Sequence, residues 1–323
     1  MRVPVSQFAA RTKDDAVLSV SSSGGVFTEF ARTVFSMGGV VVGVGWEKDP
    51  FRAVHKVAWN ENELAEMRGA KYVFSDMANC LPEVDSALKE GKTVLFTGTP
   101  CQTAALRKKY GYMGNLVLCA IICHSAPERN VWAAYVEELE SIAKSRIVNV
   151  RFRDKRSGWR KNQFVVDFEN PSRCLVEPLD KNAYMHAFFT GLSARSACSK
   201  CPFRCGENGA DIMIGDFWGI EDCHSEWDDD KGVSAVLVYS EKGESLLRSS
   251  ALDLISVSYG QVLAKNPHIE KSPVPDEARR ARFMSLYRKA GIARAFCMAT
   301  RDPLYRRIPR YCIRMTRRLL HLG

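Results

Sequence analysis

No uncharged apolar run in this 323-residue chain approaches the ~20 residues that span a bilayer, so no membrane-crossing helix is expected. The opening stretch, MRVPVSQFAARTKDDAV, lacks the apolar segment of a secretory signal. The expectation is a cytoplasmic protein whose thiols stay reduced. Histidine is sparse: six scattered residues, with no HxxxH or HExxH pair. Neither GxGxxG nor a Walker pattern occurs, so two familiar signs of a phosphate cradle are missing. One CxxC is present where zinc ribbons pair two. No repeat or low-complexity segment stands out, and no spacing of Ser, His and Asp marks a triad.

The composition that remains is globular, with 46% hydrophobic residues. Charge is unevenly placed. The chain carries 46 Lys+Arg and 37 Asp+Glu, a net +9. Residues 276–323 hold 13 Lys+Arg and 3 Asp+Glu, a net +10, which leaves the other 275 at −1. A nucleic-acid protein spreads its basic patches over a folded surface; here the excess sits in a tail, so no nucleic-acid partner is expected. Eleven cysteines, an odd number, do not suit a closed disulfide framework and read better as buried thiols or metal ligands.

Strand and helix signals alternate. Strands are expected at 39–44, 54–59, 92–97 and 116–122, and helices at 26–35, 81–89, 104–109 and 129–143. Asn60 with Glu63 opens a short helix as a capping-box variant. A β-rich stretch follows at 147–153, 163–168 and 174–179, then a helix near 183–192. Further strands are expected at 211–215 and 233–239. The fold class is therefore an α/β, mixed-sheet body with an antiparallel insertion, plus a basic helical C-terminal tail. Segments 1–85 and 86–262 form the body. Segment 263–323 is a linker, through KSPVPDE, and the tail.

Two glycine turns precede helices. Ser21-Ser22-Ser23-Gly24-Gly25 reads either as a phosphate cradle or as an ordinary Ser-capped helix start. Gly98-Thr99-Pro100-Cys101-Gln102 follows a strand and puts a Cys at a helix entrance, where the dipole favours a thiolate. Cys101 is open to three readings: nucleophile, metal ligand or space-filling thiol. Cys198-x-x-Cys201 lies in a loop with Cys205 just beyond, and Cys123 ends a strand beside His124. Strand ends on one edge of an α/β sheet collect ligands. Four soft thiolates there would suit an iron–sulfur cluster or zinc, and the single CxxC favours the cluster. Cys80, Cys119, Cys174, Cys223, Cys297 and Cys312 read as structural. His124 is either a proton donor or a satisfied strand-end residue. Asp228-Asp229-Asp230 reads as a solvated turn.

Taken together, SSSGGVFTEFA (21–31), RGAKYVFSD (68–76), LFTGTPCQTAALR (95–107), ICHSAPERNVWAAY (122–135), FRDKRSGW (152–159), CSKC (198–201), DIMIGDFWGIE (211–221) and DDDKGVSAVLV (228–238) resemble a known family. It is the coenzyme F-420 hydrogenase/dehydrogenase beta-subunit family, in particular its bacterial branch found among polysaccharide-biosynthesis genes. The resemblance implies an iron–sulfur flavoprotein passing electrons between a [4Fe-4S] cluster, FAD and a two-electron carrier. By position it implies Cys101, Cys123, Cys198 and Cys201 as cluster ligands. It implies flavin contacts from Ser23, Gly24, Gly25, Lys71, Tyr72, Thr97, Gly98, Thr99, Gly215 and Asp216. Relatives often carry an N-terminal ferredoxin-like CxxCxxCxxxC segment, which this sequence lacks, so a redox partner protein is expected to deliver electrons. Cys205 is not a fixed family position, and the branch does not point to the deazaflavin as substrate. The alternative is a non-catalytic, partner-binding scaffold whose Cys site holds zinc or nothing. Leu304 to Leu322 place apolar residues at helical spacing opposite six arginines, as in helices that lie on anionic membranes; peripheral association with the inner membrane surface is the corresponding expectation.

Overall fold

A computed structural model describes residues 3–300. Eleven strands run β1 (Ser6–Thr12), β2 (Val40–Lys48), β3 (Phe51–Ala58), β4 (Val94–Gly98), β5 (Leu116–Ile121), β6 (Ile147–Asp154), β7 (Gln163–Phe168), β8 (Cys174–Pro178), β9 (Ile212–Asp216), β10 (Ser234–Val238) and β11 (Leu252–Ser256). Eight form one mixed sheet, ordered β11-β1-β10-β9-β5-β4-β2-β3. Its centre, β2, β4, β5 and β9, is parallel; the flanking pairs are antiparallel. The remaining strands make the antiparallel insertion, β6-β7-β8.

The parallel strands are apolar on both faces because helices cover both. Side chains alternate along a strand, so Val41, Leu95 and Val117 face helix Val26–Ser36. Val40, Val42, Val94, Phe96 and Leu118 face the other way, onto helix Leu81–Lys89 and Leu106. A separate core packs the small sheet against helices Arg129–Ala143 and Ala183–Phe189, around Trp132, Phe152, Phe164 and Tyr184.

The expected elements are found, most within two residues of their predicted ends. β1 and β11 were not anticipated; they complete the sheet on the far side of β10. Beyond the Pro-rich linker, helices Glu277–Ala290 and Ile292–Thr300 bury Phe283, Tyr287, Ile292 and Phe296 in the small-sheet core. This first part of the basic segment is therefore anchored to the body. Cys312 and the Leu304–Leu322 stripe lie outside the described residues. Among the described residues no helix is long and apolar enough to cross a membrane.

Candidate functional site

The carboxyl ends of β4 and β5, which are neighbours and parallel, open on the same edge of the sheet. After β4, Thr99 caps helix Pro100–Tyr110: its side chain receives the Gln102 N–H, and Gln102 Oε1 returns to Thr99 N at 2.9 Å. Pro100 takes the first helical position, where its missing N–H costs nothing. This local chemistry fixes Cys101 at the helix entrance, with Thr99 Oγ1 3.2 Å from Cys101 Sγ. After β5, the chain delivers Cys123. The CxxC loop folds as a short 3-10 turn, Ser196–Lys200. The Ala126 N–H donates to Cys198 Sγ at 3.5 Å, joining that loop to the β5 exit.

The result is a small cavity of about 40 Å³ lined by Cys101, Cys123, Cys198 and Cys201, together with Phe74 and Arg204. Burial pushes the Cys123 thiol up to about 12, and the other three sulfurs add to the shift while Arg204 opposes it. Burial, with Cys101 and Cys201 beside it, raises Cys198 as well. Four thiols with no carboxylate among them form a soft donor set. Among the described residues no three Cys, His, Asp or Glu side chains close on one metal ion.

Cys205 takes no part in lining the cavity. It sits at φ 56° with its thiol toward Glu270 O at 3.7 Å. His124 is a packed strand-end residue: Nδ1 lies 3.1 Å from Ser125 Oγ and the ring touches Phe188 and His268. Burial lowers it to about 4.

A second, far larger space lies beside β2, β3 and β6. This cleft of about 1860 Å³ is lined by Trp46, His55, Lys71, Phe152 and Arg153, among others. Of the implied flavin contacts, Lys71 opens on it. Its ammonium is drawn onto three backbone carbonyls, Met67 O at 3.3 Å and Arg68 O and Gly69 O at 3.2 Å, and burial lowers its pKa to about 7. Thr99 instead lines the cysteine cavity. Thr97 and Gly98 are the last residues of β4, and Thr97 O lies 3.3 Å from His55 Nε2.

The other implied contacts lie within the packed body. Ser23 Oγ donates to Val233 O at 2.8 Å, and Gly24 O accepts the Thr12 N–H at 2.7 Å. A Cβ on Gly24 would stand 2.3 Å from Ala10 O, so the turn packs closely on β1, and no serine side chain caps the helix that follows. Gly25 caps helix Val26–Ser36 at φ 79°. Gly215 lies flat against Ile122, where a Cβ would meet side-chain carbons at 2.7–2.8 Å. Asp216 pairs with buried Arg153 and accepts from Trp159 Nε1 at 3.2 Å. The Tyr72 hydroxyl faces the same pair, and burial raises its pKa. Within FRDKRSGW, Lys155 Nζ staples Leu18 O, Ser23 O and Lys231 O together at 2.6–3.0 Å. Asp228 and Asp229, expected in a solvated turn, pair with Arg160 and Arg11.

Cleft and cavity are joined by aromatic packing. Phe152 of the cleft wall meets Tyr72 edge-on at 5.5 Å; Tyr72 meets Phe188 at 5.0 Å; Phe188 meets His124, next to Cys123, at 5.0 Å. Sequence reasoning did not anticipate Arg204, Phe74 or His268 at the cavity. Only Arg204, three residues after Cys201, carried a local signal.

A model of the coenzyme F-420 hydrogenase/dehydrogenase beta subunit N-terminal region matches residues 7–82, and one of its C terminus matches residues 91–256. No curated protein matches. Among solved structures, a chain of the xenon-derivatised F-420-reducing [NiFe] hydrogenase complex from Methanosarcina barkeri is similar in fold, with a TM-score of 0.55 and 17% identity. The alignment covers 88% of this chain and 94% of that one.

Proposed function

This chain belongs to the coenzyme F-420 hydrogenase/dehydrogenase beta-subunit family, a family of oxidoreductase subunits, and from that premise we propose that it is an iron–sulfur flavoprotein. The observation that carries the reading is the sharing of one carboxylate-free cavity by Cys101, Cys123, Cys198 and Cys201, beside a cleft with room for a flavin. The donor set fits a [4Fe-4S] cluster, because four soft thiols line one cavity that contains no carboxylate. The cleft has room for FAD, with Lys71 as its first contact and Arg153 in its wall. When bound, the two groups supply the exchange between one-electron and two-electron transfer.

The chain's own residues set the conditions. Thr99 and the Cys198 loop fix the thiols at the sheet edge. Phe74, Ile122 and Met213 line the cavity with apolar surface that limits water. Tyr72 and Phe188 fill the space between cavity and cleft, so both can lie close together without a solvent gap. A separate electron-donor protein supplies single electrons. In the Leu304–Leu322 segment the basic stripe is read as an address for anionic membrane surfaces; failure to bind anionic vesicles at low salt would remove that part.

The test is transfer. A one-electron donor should reduce the bound flavin of the parent protein, and much more slowly that of Cys101→Ser loaded with the same FAD. Equal rates would contradict the reading.

A further inference from the structure

Three arginines are buried among the described residues: Arg107, Arg153 and Arg204. Two have the partner that burial normally demands. Arg107 pairs with Asp211 at 2.9 Å, and Arg153 with Asp216. Arg204, 7% exposed, reaches only neutral acceptors: Cys123 O at 2.9 Å, His124 O at 2.8 Å, His268 O, and Ser272 Oγ at 3.0 Å. No carboxylate among the described residues forms an ion pair with it. An uncompensated buried cation is costly, and proteins seldom keep one unless an anion arrives. The surface it faces is the cavity of the four thiols.

We propose that Arg204 is the built-in counter-cation of the thiolate centre, holding the Cys123–His124 backbone by its carbonyls and raising the centre's reduction potential. The inference rests on the cluster reading above. Four thiolates leave such a centre net negative, and reduction adds one electron and one further negative charge. A buried cation stabilises the more negative state, because little solvent screens it. Arg195 supplies the internal comparison. It also lines the cavity, with its guanidinium 4.1 Å from the Phe74 ring centroid, but it is partly exposed and therefore screened.

The experiment uses the full chain, reconstituted anaerobically with iron and sulfide, assayed for both, and titrated with dithionite under electron paramagnetic resonance. Arg204→Met and Arg204→Gln should bind iron and titrate at lower potential. At the parent's midpoint their reduced-to-oxidised ratio should fall about tenfold, equivalent to about 59 mV for a one-electron couple. Arg204→Lys should stay near the parent, and Arg195→Met should shift less than Arg204→Met. Iron-loaded Arg204→Met or Arg204→Gln at the parent's potential would overturn the inference alone. A parent that takes up no iron would overturn it together with the cluster reading. If neither neutral variant loads, Arg204→Lys decides: loading at the parent's potential supports the charge role, and failure to load overturns it in favour of a purely scaffolding side chain.

Discussion

The cysteine cavity and the large cleft differ in how their residues are used. Around the cavity, the side chains that carry chemistry are four thiols with no carboxylate among them, tied to the fold only by weak contacts with neighbouring hydroxyl and backbone groups. Around the cleft, most charged groups are already spent on the protein. Arg151 and Arg156 bind Asp154, Lys56 binds Glu66, and Lys71 and Lys155 bind backbone carbonyls. The cavity thus presents soft donors, whereas the cleft's charges chiefly hold its own walls. Recognition of a large cofactor there would thus rest on shape and backbone more than on free cations.

The largest expected effect separates the two regions outright. The double variant Cys198→Ser/Cys201→Ser should lose essentially all reconstituted iron and its visible absorbance, while FAD released on denaturation stays at the parent's level. Loss of FAD alongside the iron would show that the cleft depends on the cavity. Next in size, Arg153→Met leaves the half-buried Asp216 at the end of β9 without its cation. Breaking one side of such a pair costs about 3–5 kcal/mol, readable by urea unfolding; a change below about 1 kcal/mol would mean the pair is screened.

A pH test probes the small sheet behind the cleft. Glu177 on β8 is buried, and burial raises its carboxyl to about 7, with the Asn182 amide opposing. The folded state therefore keeps a proton that the unfolded chain has released. Its favourable contribution is complete below about pH 4.5 and is lost as pH rises through 7, at a cost of about 3 kcal/mol above that. Glu177→Gln should match the parent near pH 4 and melt at higher temperature at pH 8. Parallel curves would contradict the assignment. The smallest effect is at the SSSGG turn: Gly24→Ala should cost about 1–3 kcal/mol through the clash with Ala10 O, and weaken FAD binding no more than stability explains. Lost flavin at full stability would make the turn a cofactor contact.

Much of this was legible in the residues. Helix Arg129–Ala143 and strand β7 run where the periodicity places them, and Cys101 and Cys123 stand at strand ends because short apolar runs stop there. β1 was not, since SQFAART is flanked by no turn signal and gains strand character only by pairing with β10 and β11, more than 200 residues away. The same limit hid the cavity's Arg204 environment, in which His268 and Ser272 come from beyond the linker's start. It also hid Asp216, whose neighbours Arg153 and Trp159 are distant in sequence. Local spacing carries strands, caps and thiols; it does not carry which distant cation a carboxylate meets.

The central claim is that the four-thiol cavity holds a redox cluster and the cleft beside it a flavin. Iron, sulfide and flavin analysis of the anaerobically purified chain tests it most directly. Equal amounts of iron and sulfide in a brown protein, with FAD released on denaturation, are predicted. Zinc alone without visible absorbance, or neither iron nor flavin after anaerobic reconstitution, would contradict it.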